Sequence, residues 1–560
     1  MKSFCFLCLL PVIASAILAV VPLTAQSNPL VHAGRPKDLP DSQALVTRAS
    51  AQFVAAGQGP PVRFAKPVAY DSGGPYADSV AIADLNGDGI PDLVVTNACQ
   101  SGYQGYCDAP GASGEVAVLL GNSDGTFQPA ATYSTGAYVA TSVAVGDLNG
   151  DGVPDLVVAN SCQYGGEQCG YFTAGQVSVL LGNGDGTFQP AVTYSSGGDD
   201  ANSVAVGDLN GDGYPDLVVV NFDSSSIGVL LGNGDGTFQA PVTYPQGSTY
   251  PVSVAIGDLN GDGKLDVVAS TYFQIGGQDG GVIVLLGNGD GTLQAAVSYS
   301  SGGYYPGGVA LGDLNGDGHL DVAVANSYGS TGHGAVGVLL GNGDGTFQAP
   351  FSYSWGGQQA NAVTIGDVNG DGHTDLVVAV ACVKDHYGYC YGAGVVSILL
   401  GNGDGTFQTP AVDYPSGGFV AGSVAVADLN GDGRPDIVVS NGCTHYDQVS
   451  PCRTDGTVGV LLNSLLVATS THITSSLDPS QVSQSVTFTV TVKSNLAVPN
   501  GTVIAFSNDG MGLGTATTTD GVANLTTSFS AAGRYTIEAS YAGDLYHEAS
   551  SGTVKQVVRP

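Results

Sequence analysis

Seven copies of one nine-residue pattern carry most of the candidate chemistry of this chain. Each reads D-x-N-x-D-G-x-x-D, starting at Asp84, Asp147, Asp208, Asp258, Asp313, Asp367 and Asp428. Positions 3, 5 and 9 are Asn86, Asp88 and Asp92 in the first copy. The later copies carry Asn149, Asp151 and Asp155; Asn210, Asp212 and Asp216; Asn260, Asp262 and Asp266; Asn315, Asp317 and Asp321; Asn369, Asp371 and Asp375; and Asn430, Asp432 and Asp436. In such a loop the first three oxygen side chains converge, Gly takes the tight bend at position 6, the position-7 carbonyl points inward and the last Asp closes the shell. An all-oxygen set of this kind suits a hard cation, and Ca²⁺ more than Mg²⁺, which gives up its waters reluctantly.

Two details sharpen that reading. Position 7 is Ile90, Val153, Tyr214, Lys264, His319, His373 or Arg434, the freedom expected where only a backbone carbonyl is used. Position 12 is Val95, Val158, Val219, Ala269, Val324, Val378 or Val439, where a helix-loop-helix site would carry Glu. The loops therefore belong between strands, with the ninth Asp supplying the closing carboxylate. A family of Asx-rich turns without metal does not explain four oxygen positions recurring at fixed spacing. Up to seven structural calcium ions are expected.

Other reactive groups are sparse. Eight His are scattered, and none sits in a HExxH or GxSxG setting, so no residue is assigned a catalytic role. Asp199 and Asp200 are adjacent surplus carboxylates outside the loops, a weak basis for paired-carboxylate glycoside chemistry. The recurring GNGDGT, Gly182–Thr187 in the second repeat, reads as a hairpin turn whose Asn, Asp and Gly tolerate positive φ.

Beyond Cys5 and Cys8, eight cysteines form four near neighbours: Cys99/Cys107, Cys162/Cys169, Cys382/Cys390 and Cys443/Cys452. They lack CxxC spacing, and each pair takes the same place in its repeat, so local disulfides are expected rather than zinc.

The elements that must position these groups are β-strands. From Val62 to about Leu462 each unit holds three apolar β-rich runs and an FQPAVTY-like segment, punctuated by Gly/Asn/Asp turns. That makes four strands per unit, with successive metal loops starting 50 to 63 residues apart, the size of propeller blades. The metal loop joins strands one and two; GNGDGTF joins three and four. The seventh unit lacks its last strand, and a matching segment, Arg63–Tyr70, precedes the first unit. The N-terminal strand is therefore expected to close the ring and remove its open edges.

These residues resemble the FG-GAP/VCBS repeats, the calcium-bearing blades of integrin α-chain propellers and of many bacterial secreted proteins. The resemblance implies a seven-bladed propeller over 61–465 and adhesion or recognition more often than catalysis. Residues 466–560 change to alternating strands, such as SVTFTVTVKS and GRYTIEASYAGD, and resemble bacterial Ig-like sandwiches. The fold class expected is all-β.

Composition sets the environment. The chain carries 48 Asp+Glu against 14 Lys+Arg, a formal charge of −34, which argues against nucleic acid and anionic membrane surfaces. The three Asp of each of seven loops account for 21 of those acids. Residues 1–25 read as a secretory signal peptide, with an uncleaved anchor as the alternative, and 26–60 as a linker. No transmembrane domain is expected in the mature protein, which is placed outside the cell or on its surface, the periplasm being the other possibility.

The remaining candidate site is the face opposite the metal loops. Aromatic residues of the cystine-bearing and entry loops gather there, with Tyr106, Tyr164, Tyr171, Tyr304, Trp355, Tyr387, Tyr389 and Tyr446 foremost. Rigid loops with aromatic faces suit binding of an extracellular protein or glycan. Local packing of those rings is the competing account. The expected function is non-enzymatic adhesion or recognition. A lectin-like carbohydrate binder is the first alternative, followed by a polysaccharide-degrading enzyme and a purely structural surface protein.

Overall fold

The computed structural model describes residues 63–98, 113–161, 174–277, 279–329, 332–354, 358–382, 393–444, 455–463, 469–494, 498, 500–508, 510–543 and 547–560. The expected signal peptide and linker lie outside the described residues. No helix occurs among the described residues.

Seven four-stranded antiparallel sheets occupy the repeat region. They begin with strands Ala77–Ala83, Val139–Gly146, Ala201–Gly207, Pro251–Gly257, Tyr304–Gly312, Gln358–Gly366 and Phe419–Ala427. Each first strand packs against the first strand of the next sheet, and the seventh packs against the first, so the cycle is closed. The sheets are propeller blades. In the seventh, N-terminal strand Val68–Pro75 pairs with Asp455–Leu461, in register Val68 to Val460 and Tyr70 to Val458. The edge strand is thus supplied from the other end of the repeat region.

The second strands, such as Asp92–Asn97 and Asp216–Asn221, are buried throughout. They have neighbours on both sheet faces, which explains runs like LVVV in place of alternation. Their apolar side chains form separate clusters between adjacent blades, for example Val157, Val177, Val204, Leu217 and Phe238 between the second and third.

An aromatic contact fastens six of the seven junctions. The outer-strand Tyr of one blade meets the Phe after GNGDGT in the next: Tyr133–Phe188, Tyr194–Phe238, Tyr299–Phe347 and Tyr353–Phe407, edge to face at 5.4–5.6 Å. Leu293 replaces Phe at one junction, where its N–H donates to the Tyr244 hydroxyl at 3.1 Å. At the closure Phe64 meets Tyr414 and Tyr70 meets Phe127. The N-terminal segment therefore supplies both the missing strand and the missing ring.

The C-terminal region is a sandwich of two sheets. Ser470–Ser475, Ser485–Lys493 and Val522–Ser528 form one, and Ser480–Gln481, Ser550–Arg559, Gly533–Tyr541, Val503–Asn508 and Met511–Thr517 the other. Alternate residues of Ser485–Lys493 point inward, and Phe488, Val490, Ile504, Phe506 and Tyr541 build the core.

Candidate functional site

The connections of each blade divide between two faces. On one face lie the Asp-rich loop and the GNGDGT turn. The other carries the loops after the second strands and the entries to the first strands.

The Asp-rich loops share one geometry. The first Asp accepts N–H bonds from position 4 at 2.6–2.8 Å. It accepts others from position 6 at 2.7–2.9 Å. The fifth-position Asp accepts the N–H of position 7 at 2.8–3.0 Å. Gly150 and Gly152 illustrate the backbone requirement: their φ values are 74° and 83°, and a Cβ on either would meet nothing. Conformation, not space, demands glycine there.

The ninth Asp opens the second strand and is fully buried in all seven blades. One of its oxygens accepts the N–H of loop position 2 at 2.9–3.0 Å. The other accepts the N–H of the residue opening the second turn, Gly121 in the first blade and Gly182 in the second, at 2.6–2.8 Å. The seventh blade has no GNGDGT, and Asn463 stands in: its N–H bonds Asp436, and its Nδ2 donates to the Val368 carbonyl of the preceding blade at 2.6 Å. Elsewhere the third Gly of the turn donates to the preceding loop, as from Gly236 to Leu148 at 3.1 Å and Gly345 to Leu259 at 3.2 Å.

The loop residues fit a bound hard cation. Burial first, and then the charges of the first and fifth Asp, push the ninth carboxyl above its ordinary range; its two backbone bonds pull the other way. Asp375 is raised to about 7 and Asp436 to about 6. Of the 21 loop carboxylates only Asp262 meets a cationic side chain among the described residues, Lys264 at 3.5 Å. Among the described residues no three carboxylate, imidazole or thiol groups gather around one point; backbone N–H groups hold the loop oxygens. Asp84, Asn86, Asp88, the Ile90 carbonyl and Asp92, with their counterparts, are the groups that would hold the ion. Bound there, it would supply the positive charge these clustered carboxylates lack.

The GNGDGT segments are hairpin turns. Asn183 N–H donates to the Thr187 carbonyl at 2.9 Å, and Asp185 accepts from the Thr187 N–H at 3.0 Å. A Cβ on Gly186 would collide with Leu120 of the preceding blade. The turn sequence therefore serves blade packing.

The opposite face is built differently. Every first strand carries a register shift near its start, and bulges of this kind re-aim side chains at rims. The residue entering six of the seven strands is left-handed without being glycine: Tyr76, Asp200, Tyr250, Tyr305, Gln359 and Val420, at φ of 42–62°. Such conformations cost about 1–3 kcal/mol each and persist where surroundings enforce them. Some of that enforcement is visible. Phe222 N–H donates to the Asp200 carbonyl at 2.8 Å, and Tyr272 N–H to that of Tyr250 at 3.1 Å.

A row of rings runs along this face from the third blade to the fifth. Phe222 meets Tyr250 at 5.4 Å and Tyr272 at 5.1 Å; Tyr272 meets Tyr305 at 5.6 Å; Tyr305 meets Tyr328 at 6.3 Å. Gln359, entering the sixth blade, donates to the Tyr328 hydroxyl at 2.9 Å. At the head of the row is Asp200, 5% exposed, whose Oδ1 has no hydrogen-bond partner. Burial pushes this carboxyl up to about 6; the neighbouring Ser161 hydroxyl lowers it, while Asp223 and Asp199 raise it further.

Of the aromatic residues expected to bind, Tyr304 is on this face and 44% exposed. Tyr106, Tyr164, Tyr171, Trp355, Tyr387, Tyr389 and Tyr446 lie outside the described residues. Cys99, Cys107, Cys162, Cys169, Cys390 and Cys452 do as well. Cys382 and Cys443 end second strands, and Cys443 is buried.

Sequence reasoning missed Phe222, Tyr272, Phe273 and Tyr328, which follow or end second strands in blades without cysteine pairs. It also missed a Ser–Asn clasp. Ser72–Asn97, Ser196–Asn221, Ser301–Asn326 and Ser416–Asn441 bond at 2.5–2.7 Å, always 25 residues apart. That constant spacing was a readable signal. Gly337 and Gly459 make room for it, because a Cβ there would collide with the Ser301 or Ser416 carbonyl.

Comparison with known proteins agrees with the fold. The model of the FG-GAP-like repeat matches residues 107–158, 169–219, 208–269, 272–324, 313–378 and 381–439. The chain belongs to the FG-GAP-like repeat family. An FG-GAP repeat model also matches 76–119, 139–180 and 359–399, and a bacterial Ig-like domain (group 3) matches 473–559. Phosphatidylinositol-glycan-specific phospholipase D is 32% identical in Homo sapiens over 213 residues, covering 32% of this chain and 24% of that protein. The Bos taurus protein is 35% identical over 161 residues, covering 24% and 17%. This chain thus spans a quarter or less of those relatives. The periplasmic gluconolactonase of Pseudomonas aeruginosa aligns at 17% identity over 60% of this chain and 85% of its own, with a TM-score of 0.43.

Proposed function

We propose that this FG-GAP-like repeat protein is an exported, calcium-stabilised recognition or adhesion protein that binds through the face opposite its Asp-rich loops. The observation that carries the reading is the division of labour between the faces. The Asp-rich loops spend their ninth carboxylates and turn glycines on bonds within and between blades. The opposite face holds strained entry residues, a buried unpartnered carboxylate oxygen and a row of aromatic rings. Strain and unpaired polar groups are stability costs, and they concentrate where function requires them.

Calcium is assigned a structural role: it neutralises the loop carboxylates and stabilises the folded ring by mass action. The four cysteine pairs are assigned as local disulfides that stiffen the loops of this face. No catalytic constellation is assigned, so the protein is proposed not to be an enzyme. A lectin-like reading has one observation in its favour, the exposed Tyr304 beside the ring row, since aromatic faces bind sugars with little ordering cost.

The test is a binding screen of the mature protein, in calcium, against glycans and extracellular proteins, repeated with Tyr305→Ala and Tyr304→Ala. Loss of a ligand in these variants, with unchanged melts, is expected. Ligands that bind all variants equally would sink the assignment of this face, and turnover of a polysaccharide would sink the non-enzymatic reading.

A further inference from the structure

The head of the ring row has features that the recognition reading alone does not use. Asp200 links the outer strand of the second blade, Val192–Asp199, to the inner strand of the third, Ala201–Gly207. Ser161, at the end of strand Asp155–Ser161, lies beside it. Asp200 Oδ1 and the Ser161 hydroxyl are both buried, at 5% and 1% residue exposure; the hydroxyl is near enough to the carboxylate to pull its pKa down, yet neither atom makes a hydrogen bond of good geometry among the described residues. Buried polar atoms are paired in the great majority of cases, so two neighbouring exceptions call for a partner. The Tyr272 phenol is close enough to feel the Asp200 charge, and its ring packs edge to face against Phe222 and Tyr305.

The chemistry of a partner follows from what is missing. An ionised carboxylate oxygen only accepts and calls for a donor, while the hydroxyl can turn toward the carboxylate and still accept from a partner. Asp199 and Asp223 add negative charge beside Asp200. Every described Lys and Arg lies elsewhere, in the Asp-rich loops, in Arg63 and Lys66 before the first strand, or in the Ig-like region. The partner is therefore cationic. A metal ion fits poorly, since hard cations take six or more oxygens and this spot has no counterpart of the four oxygen positions that recur in each Asp-rich loop. Aromatic rings beside the carboxylate suit an organic cation, whose charge is attracted to ring faces.

We propose that Asp200, with Ser161 and Tyr272 beside it, binds a primary ammonium group of the ligand. Its three N–H donors match the carboxylate, the hydroxyl and the phenol oxygen, with Phe222 and Tyr305 as walls. The proposal rests on the recognition reading of this face and adds the chemical class of the group recognised there.

Calorimetric titration of the mature protein in calcium tests it, using cadaverine and its neutral counterpart pentanediol. Cadaverine is expected to bind saturably and pentanediol at least about tenfold more weakly, as for loss of a charge-assisted hydrogen bond. Asp200→Asn should weaken cadaverine by about tenfold or more, and Tyr272→Phe by severalfold. The surface control Asp185→Asn should leave binding unchanged, and melts of all variants establish that they fold. Equal binding of the diol, or unchanged cadaverine binding by Asp200→Asn, would overturn the proposal; the latter would show attraction to general acidity. If cadaverine fails while the binding screen finds a ligand lost in Tyr305→Ala, the ammonium assignment alone falls. If both fail, the recognition face falls with it.

Discussion

Replacing Asp200 with Asn should make the unliganded protein more stable at neutral pH. In the folded form burial holds this carboxyl at about 6, against an ordinary value of 3.8. Two pKa steps of about 1.4 kcal/mol each oppose folding by about 3 kcal/mol once the group is ionised in both states. The folded form holds the proton more tightly than the unfolded chain. The penalty is therefore absent below about pH 4, grows as pH rises, and is complete above about pH 6. Asn has the same shape and no charge, so it removes that penalty. It still leaves a buried polar oxygen or amide with few partners, which reduces the expected gain to about 1–3 kcal/mol.

Urea unfolding of the propeller transition, in saturating calcium, measures this for both proteins near pH 4 and at neutral pH. Comparing variant with parent at each pH cancels the protonation of the Asp-rich loops. The expected result is near-equality at the low pH and a more stable variant at neutral pH. A variant that is less stable by more than about 1 kcal/mol at both would refute the reasoning, because Asp200 would then be making a structural bond.

Other expectations follow from the packing. Asp375→Ala leaves the buried Gly401 and Val368 N–H groups without acceptors, and each should cost about 1–3 kcal/mol in a denaturant titration. Phe188→Ala removes the ring that locks Tyr133 across a blade junction and should cost about 3–5 kcal/mol. Leu293→Phe should change stability by less than about 1.5 kcal/mol, because six equivalent junctions already hold a ring. Deleting residues through Pro75 unpairs Asp455–Leu461; light scattering should then report self-association through the exposed edge.

Much of the fold was legible because the repeats sample one solution seven times. The missing FQxPVxY segment of the last unit and the surplus Arg63–Tyr70 predicted the closure seen between Val68–Pro75 and Asp455–Leu461. Phe64 could be foreseen as a strand neighbour, but not as the partner of Tyr414, because that contact depends on three-dimensional stagger between blades. The oxygen ladder of the loops was legible. The second bond of the ninth Asp, to the GNGDGT turn, was not, since its partner lies 16 to 29 residues away at a distance set by loop length.

The opposite face was harder to read. Attention to cysteine pairs pointed to long loops, whereas the ring row uses Phe222, Tyr272 and Tyr328 in short connections that carry no motif. Asp200 was visible only as one of two adjacent acids. Its neighbours Ser161 and Tyr272 come from distant stretches of the chain, so its environment carries no local signal.

The central claim is that the Asp-rich loops are structural cation sites that hold the ring together. Differential scanning calorimetry of the mature protein with calcium and with chelator tests it most directly. The account predicts that chelation lowers the propeller transition by many degrees and leaves that of the Ig-like domain in place. An unchanged propeller transition would contradict it.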